Sequence, residues 1–426
     1  MVLGAHLSRG EAGEADKGTT AASSADSPTT RLPALPVEIQ LLVVQHSFSP
    51  SPSYTALPSR YTLLRTFALV CRTWHSFVRP LLLRDVVLPD PEKAQLFLRS
   101  LAAGNDDWAA RVRTLRLGKV PWLNRTFEEM ADEQERVENG ELEDEWMSSV
   151  AEGFGLAELL RRCTGLKELW LAGIRHCLLS DLRFARSIET LHILRCSLCD
   201  CDDDSISPSD PPLVFPRLTR AEFFVRPNST TVQNAFFSPS VLPALKHFSY
   251  ACQDEDFPSN LSLSSITALS TVTDLPSDLV SAPLLFLDAY QLPVREALNT
   301  LPPSILILRL NDFSPLQHAF PWLLIDSGTS NELADKLPNL RELWLPQSYS
   351  EWRDDPKDSV RAMTQRWVKG WEARGVKVVF EEEAEENVGL VAEEKRLTEE
   401  AAFDFTFASL CRKVERWKLE EQGGEQ

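Results

Sequence analysis

Along most of this chain, short hydrophobic pieces recur with apolar residues at the first, fourth and sixth positions. They are Val112–Leu117, Leu166–Leu171, Ile188–Ile193, Leu218–Phe223, Leu245–Tyr250, Ile305–Leu310 and Leu340–Leu345, with Leu284–Ala289 a weaker case. Alternation at the fourth to sixth positions predicts a short strand with one buried face. Pro or Ser often precedes a piece, as in FPRL, LPAL, PPSI and LPNL. The pieces follow one another at intervals of about 20–35 residues, with one longer gap after the first. A strand recurring at that period predicts a solenoid whose units stack, because none is large enough to bury its own apolar face. The spacing is uneven and the ninth position is poorly kept, so the expected array is irregular. Its best internal match is LKELWL against LRELWL, identical but for Lys167 and Arg341.

Residues 31–88 follow a different period. Leu35, Ile39, Leu42 and Val43 fall at helical spacing, with Pro36 suited to the first turn and Glu38 to its positive end. SFSPSPSYTALPS then predicts a loop. The segment from Tyr61 resumes the helical pattern, with stripes of Leu64, Phe67, Ala68 and of Val70, Trp74, Phe77, Val78, and Pro80 is expected to end a helix. Residues 1–30 hold Gly, Ala, Ser, Thr and acid with no apolar period, and are expected to be disordered. Thr126 and Glu129 resemble a capping box opening an exposed helix inside an acidic insert, 124–150. Near the end, SVRAMTQRWVKGWEARG predicts a helix and GVKVVFEE a last strand. The tail, 384–426, looks helical with an FDFTF interruption at Phe403–Phe407, and nothing in it fixes whether it docks on the body.

Composition changes the picture mainly through charge. The chain of 426 residues carries a formal charge of −18. Residues 127–147 contribute −9 and residues 381–426 contribute −8, so the acidity belongs to two segments. Nucleic acid is a poor partner for such a chain, since phosphate binding needs clustered Lys and Arg. No run of about 18 apolar residues predicts a membrane span. The first residues lack the basic start and apolar stretch of a secretory signal. Eight Cys without such a signal point to a reducing compartment, cytoplasmic or nuclear, and to free thiols.

The motif L35-P-V-E-I39, an apolar helix, then L69-V-C-R-T-W74 and a Pro followed by leucines resembles an F-box. The likeness covers about 50 residues, and C-R-x-W is its most specific part. The Ser/Pro insert at 47–60 is a departure that lengthens the first connection. The resemblance implies a substrate-receptor subunit of an SCF ubiquitin ligase, binding the small adaptor and through it a cullin. Contacts carried over from the motif are Leu35, Pro36, Ile39 and Leu42, with Leu69, Val70 and Trp74. Six Arg against Glu38 and Asp85 make this segment basic in an acidic chain, which suits an acidic partner. Behind it, the repeating pieces resemble leucine-rich repeats of the kind that follow F-boxes in fungal proteins. The whole is then α/β: a small N-terminal helical F-box module at 31–88, and an irregular leucine-rich repeat horseshoe at 89–383. Residues between the fourth and sixth strand positions would line its concave side. They are Arg116, Trp170, His192, Glu222, Ser249, Arg309 and Trp344, the expected target-binding set.

Enzymatic chemistry finds little support. No G-x-S-x-G, H-E-x-x-H or phosphate-cradling Gly loop occurs, so no enzyme and no cofactor is expected. Cys196, Cys199 and Cys201, with His192 nearby, form the only local cluster of metal-ligand type. No second C-x-x-C completes it, and structural thiols are the expectation. Two other readings stay open: a repeat scaffold whose helical module serves something other than ubiquitylation, and a metal-binding regulator built around Cys196–Cys201.

Overall fold

The structure, a computed structural model, describes residues 36–46, 56–103, 106–118, 149–175, 177–196, 198–199, 211–225, 236–251, 257–271, 275–289, 299–310, 327–345, 358–380 and 405–423. Residues 1–30, Leu35, Cys201 and nearly all of the acidic insert lie outside them.

Eleven strands form one parallel sheet, and they lie side by side in the order in which the chain makes them. They are β1 (Asp85–Leu88), β2 (Thr114–Gly118), β3 (Glu168–Ala172), β4 (Thr190–Cys196), β5 (Arg220–Val225), β6 (His247–Ala251), β7 (Ala268–Thr271), β8 (Phe286–Ala289), β9 (Ile307–Leu310), β10 (Glu342–Leu345) and β11 (Lys377–Phe380). The first-position residues Val112, Leu166, Ile188, Leu218, Leu245, Leu284, Ile305 and Leu340 are all buried, as are the fourth- and sixth-position residues. Together they form one continuous core along a single face of the sheet, so each unit buries its apolar edge against the next. An aromatic block thickens the middle of that core: Phe223, Phe237 and Phe248 meet edge to face or tilted, with centroids 4.9–5.9 Å apart.

A repeated backbone device keeps the register. The carbonyl of Arg113 accepts from Lys167 N at 2.8 Å and Glu168 N at 3.0 Å. The carbonyls of Lys167, Glu189, Thr219, Lys246, Thr267, Leu285 and Leu306 do the same for the next unit along. One acceptor thus satisfies two adjacent N–H groups at each strand entry, where unpaired donors would otherwise be buried. Gly118, at φ +85°, ends β2 where the Ala172 carbonyl passes too closely for any Cβ.

Two strands of this sheet fall where the sequence pattern did not place them. β1 occupies the end of the segment expected to be helical, and β7 fills the space between the pieces at 245 and 284. The described residues contain no helix long and apolar enough to cross a membrane.

Among the described residues, three helices precede β1: α1 (Val37–His46), α2 (Ala56–Val70) and α3 (Arg72–Arg84). The expected loop at 47–59 is shorter than predicted, since α2 begins at Ala56 and takes Pro58 into its first turn. Pro80 does not end a helix. It lies inside α3, which runs on to Arg84 because Val78 and Leu83 hold that turn in apolar contacts. The break comes instead at Cys71. Its extended backbone separates α2 from α3, and its Sγ caps α3 by accepting from Trp74 N at 3.5 Å. Further on, α4 (Pro91–Ala102) starts from Asp90, whose Oδ1 accepts from Lys93 N at 2.9 Å. The longer helices after it are α5 (Leu156–Arg162), α6 (Ser327–Lys336), α7 (Asp358–Glu372) and α8 (Phe405–Gly423).

Candidate functional site

Two surfaces collect the residues that the sequence singled out. The first lies on α1, α2 and α3. Leu64 and Val78 are buried between α2 and α3, with Phe67, Ala68, Phe77, Leu81 and Leu82 around them. Trp74 is half-buried here: its ring stands edge to face on Phe67 at 5.2 Å, and its Nε1 donates to Gln40 Oε1 at 2.9 Å, tying α1 to α3. The other apolar side chains turn away from this cluster. Val37, Ile39, Leu42, Val43 and Leu63 are exposed, Val70 is 57% exposed and Leu69 86%. Among the described residues only three other large hydrophobics, Leu96, Val280 and Leu419, are as open. Pro36 is exposed at the start of α1. Pro36, Ile39 and Leu42 are thus exposed on and just before α1, and Leu69 and Val70 are exposed at the end of α2 beside the break at Cys71; Trp74 is turned inward, and Leu35 lies outside the described residues.

The second surface is the face of the sheet opposite the core. Strand pairing places one residue from each strand in a single row: Val87, Arg116, Trp170, His192, Glu222, Ser249, Ser270, Asp288, Arg309, Trp344 and Val379. All seven residues expected on the concave side are therefore brought together. Ser270 and Asp288 belong to the same row. Asp288 sits in the weaker piece at 284, and Ser270 follows the first-position residue Ile266.

The row is internally paired. The Arg116 guanidinium lies 5.0 Å from the Trp170 ring, and that ring stacks on His192 with centroids 3.7 Å apart. His192 Nδ1 lies 2.7 Å from Glu222 Oε2, and Arg220 Nε donates to Glu222 Oε1 at 2.8 Å. Burial alone would raise the pKa of Glu222, but the charges of Arg220 and His192 outweigh it and hold the carboxyl far below its ordinary range. An ionised carboxylate only accepts, so the proton of the shared bond is on His192 Nδ1. Further along, Asp288 Oδ2 accepts from Ser270 Oγ at 3.0 Å and from Arg309 Nη1 at 3.1 Å. Except for Trp170, which is half-buried, the seven predicted residues are buried rather than open to solvent. Across the strands, at a spacing of about 4.8 Å, His192 pairs with Glu222 and Arg309 with Asp288.

On the same face, the first residues of β7–β9 together with Trp344 of β10 and Val379 of β11 are apolar, and α8 packs on them. Phe407, Leu410, Cys411 and Val414 pack on Ala268, Phe286, Ile307, Trp344 and Val379. Of the expected interruption at Phe403–Phe407, the described part, Phe405–Phe407, opens this helix, and Phe407 is fully buried in the contact. Lys413 Nζ donates to both oxygens of Glu342, at 2.6 and 2.7 Å, and Trp344 Nε1 donates to Glu342 Oε2 at 2.9 Å. The acidity of the tail precedes α8, which carries four Lys or Arg against three Glu.

The remaining candidate chemistry is thiol. Cys196 is buried and its Sγ lies 3.5 Å from the Leu194 carbonyl. Burial pushes its thiol up to about 12, as it does that of Cys163. Such thiols are poor nucleophiles and poor metal ligands at neutral pH. Cys199 pairs through its backbone with Leu178 in a separate two-residue strand, and Cys201 lies outside the described residues. Among the described residues, no three His, Cys, Asp or Glu are grouped to hold a metal ion. No protein-family model matches this chain, and no curated protein matches its sequence.

Proposed function

We propose that this chain is the substrate receptor of an SCF-type cullin ubiquitin ligase. The first three helices form the F-box module that takes the adaptor, and the parallel sheet is the body of a leucine-rich repeat solenoid that holds the target. The chain supplies no bond-making group. It works by tethering, which raises the target's concentration at the ubiquitin-charged enzyme to roughly the mM range.

One observation carries this reading: Leu69 and Val70 are exposed directly before the C-R-T-W element that resembles the F-box signature, and Ile39 and Leu42 are exposed on α1, which Gln40 ties to Trp74. Exposed apolar side chains gathered on a few helices mark a surface that a partner covers. The strictly sequential parallel order of the strands supports the solenoid part.

The test is co-expression of the full chain with the SCF adaptor. The expected result is a one-to-one complex of ordinary interface size, about 800 Å² per partner. Leu69→Asp with Val70→Asp should abolish it while leaving the circular dichroism unchanged, since neither side chain is part of a core. A wild-type chain that forms no complex, or a complex that persists in the double variant, would overturn the proposal.

A further inference from the structure

We infer that the sheet face over β7–β11 is a binding site for an amphipathic helix with a basic edge, and that α8 is its built-in, exchangeable occupant. This inference concerns only that face and stands whether or not the first helices bind an SCF adaptor.

Three features set α8 apart from a permanent part of the core. First, the cluster beneath it is separate. Its residues lie on the polar-row side of the sheet, while the continuous core that joins every unit lies on the other side. Taking α8 away removes no side chain from that core. Second, the contact uses only part of the helix. Phe407, Leu410, Cys411 and Val414 face the sheet, whereas Leu419 near its end is 68% exposed. Third, recognition is specific as well as apolar. Glu342, itself buried, receives Lys413 on both oxygens, and the Lys413 ammonium lies 5.8 Å from the Trp344 ring. A buried carboxylate beside an indole on an apolar face selects a lysine at one position of the incoming helix.

The partner chemistry follows from these contacts. An incoming helix needs large apolar residues at the positions of Phe407, Leu410 and Val414, which are three or four apart, with a lysine at the position of Lys413. Arg341, which lies 5.2 Å from the Trp417 ring on the rim, adds an aromatic position one turn beyond the lysine. A helix of this kind on a partner protein enters as α8 leaves.

The test uses the full chain and a fluorescent synthetic peptide of residues 405–423. Leu410→Asp with Val414→Asp in the full chain should free the site. The expected result is that this double variant binds the peptide at least tenfold more tightly than the unaltered chain does, and that Lys413→Glu in the peptide lowers binding at least tenfold. Light scattering should give the mass of one chain plus peptide. Equal binding by variant and unaltered chain, or a doubled mass from helices exchanged between copies, would overturn the inference. So would a variant that fails to fold, because α8 would then belong to the core. Amide exchange on the unaltered chain gives an independent reading. Residues 407–417 should exchange far faster than β3–β9. Protection equal to that of the strands would also refute exchangeability.

Discussion

Replacing Glu222 by Ala tests whether the polar row is held together by its own pairings. In the folded chain the Glu222 side chain is 2% exposed and is shared by His192 and Arg220. Removing it leaves two donors that lack their common acceptor. The His192 side chain is 5% exposed, so water cannot readily replace the lost bond, a cost of about 1–3 kcal/mol. The Arg220 side chain is 20% exposed and can turn partly outward, which keeps its share at the low end for a broken buried ion pair, about 3 kcal/mol or less. The two costs overlap, since both arise from the one lost carboxylate, so the expected loss is the low end for a broken buried ion pair, about 3 kcal/mol.

The carboxyl's own titration gives a second route to the same size. Its pKa falls from 4.5 in the unfolded chain to about 2 in the fold, which is worth roughly 3 kcal/mol. The sign is that of a depressed carboxylate. The contribution is complete above pH 4.5 and is lost as the pH falls toward about 2. Urea unfolding, followed by tryptophan fluorescence and circular dichroism, measures the effect. At an m-value of about 3 kcal/mol/M the midpoint of Glu222→Ala should fall by about 1 M at pH 7. The gap to wild type should narrow below pH 4.5. Glu222→Gln, which keeps one acceptor oxygen, should lose about half as much. A midpoint shift under about 0.3 M for Glu222→Ala, or a gap that does not narrow in acid, would refute the view that this carboxylate organises the row.

Three further outcomes are expected. Gly118→Ala should cost at least about 2 kcal/mol in thermal unfolding, because a Cβ there would sit 1.8 Å from the Ala172 carbonyl oxygen at a φ of +85° that side chains avoid. Cys71→Ser should slow amide exchange in the first turn of α3 and stabilise the helix by about 0.5 kcal/mol, while Cys71→Ala should lose a similar amount, since oxygen is the better cap. Burial, then the charges of Arg220 and Lys246, lower the pKa of His247 from 6.5 to about 4, so stability should be full above pH 6.5 and decline as the pH falls toward 4; His247→Gln should flatten that decline in thermal melts.

How much of this was legible in the sequence differs element by element. The strands were visible because side-chain period is fixed by the backbone. β1 obeys the same rule through Leu83, Val86 and Leu88, but it follows directly on a helix and its residues read as the helix's last turn. β7 was hidden by Thr271, a polar residue at the sixth position of a unit that otherwise has Ile266 and Leu269 in place. The opposite-face row followed from alternation alone, but its burial did not. Whether Arg116 or Glu222 meets water depends on which residues the next strand sets beside it, and a single unit contains no trace of that. The docking of α8 was equally hidden, since Phe407, Leu410, Cys411 and Val414 fit a helix stripe but name no partner.

The polar row also constrains the order of the units. In a parallel sheet each fifth-position side chain stands about 4.8 Å from its neighbours, so its identity matters to two other units. Arg116 needs the Trp170 ring, Trp170 needs His192, and His192 needs Glu222. Asp288 needs Ser270 on one side and Arg309 on the other. Ser249, small and uncharged, stands between Glu222 and Ser270 and keeps the two carboxylates apart. Deleting the units of Ser249 and Ser270 would bring Glu222 beside Asp288, two buried like charges at strand spacing. The core face would lose Phe248 and Tyr250 from its aromatic block, and the polar face would gain that repulsion. The irregular fifth positions thus constrain the sequence of units, and with it the six strand spacings of about 4.8 Å each that separate β1, which follows the first three helices, from β7, where the helix site begins.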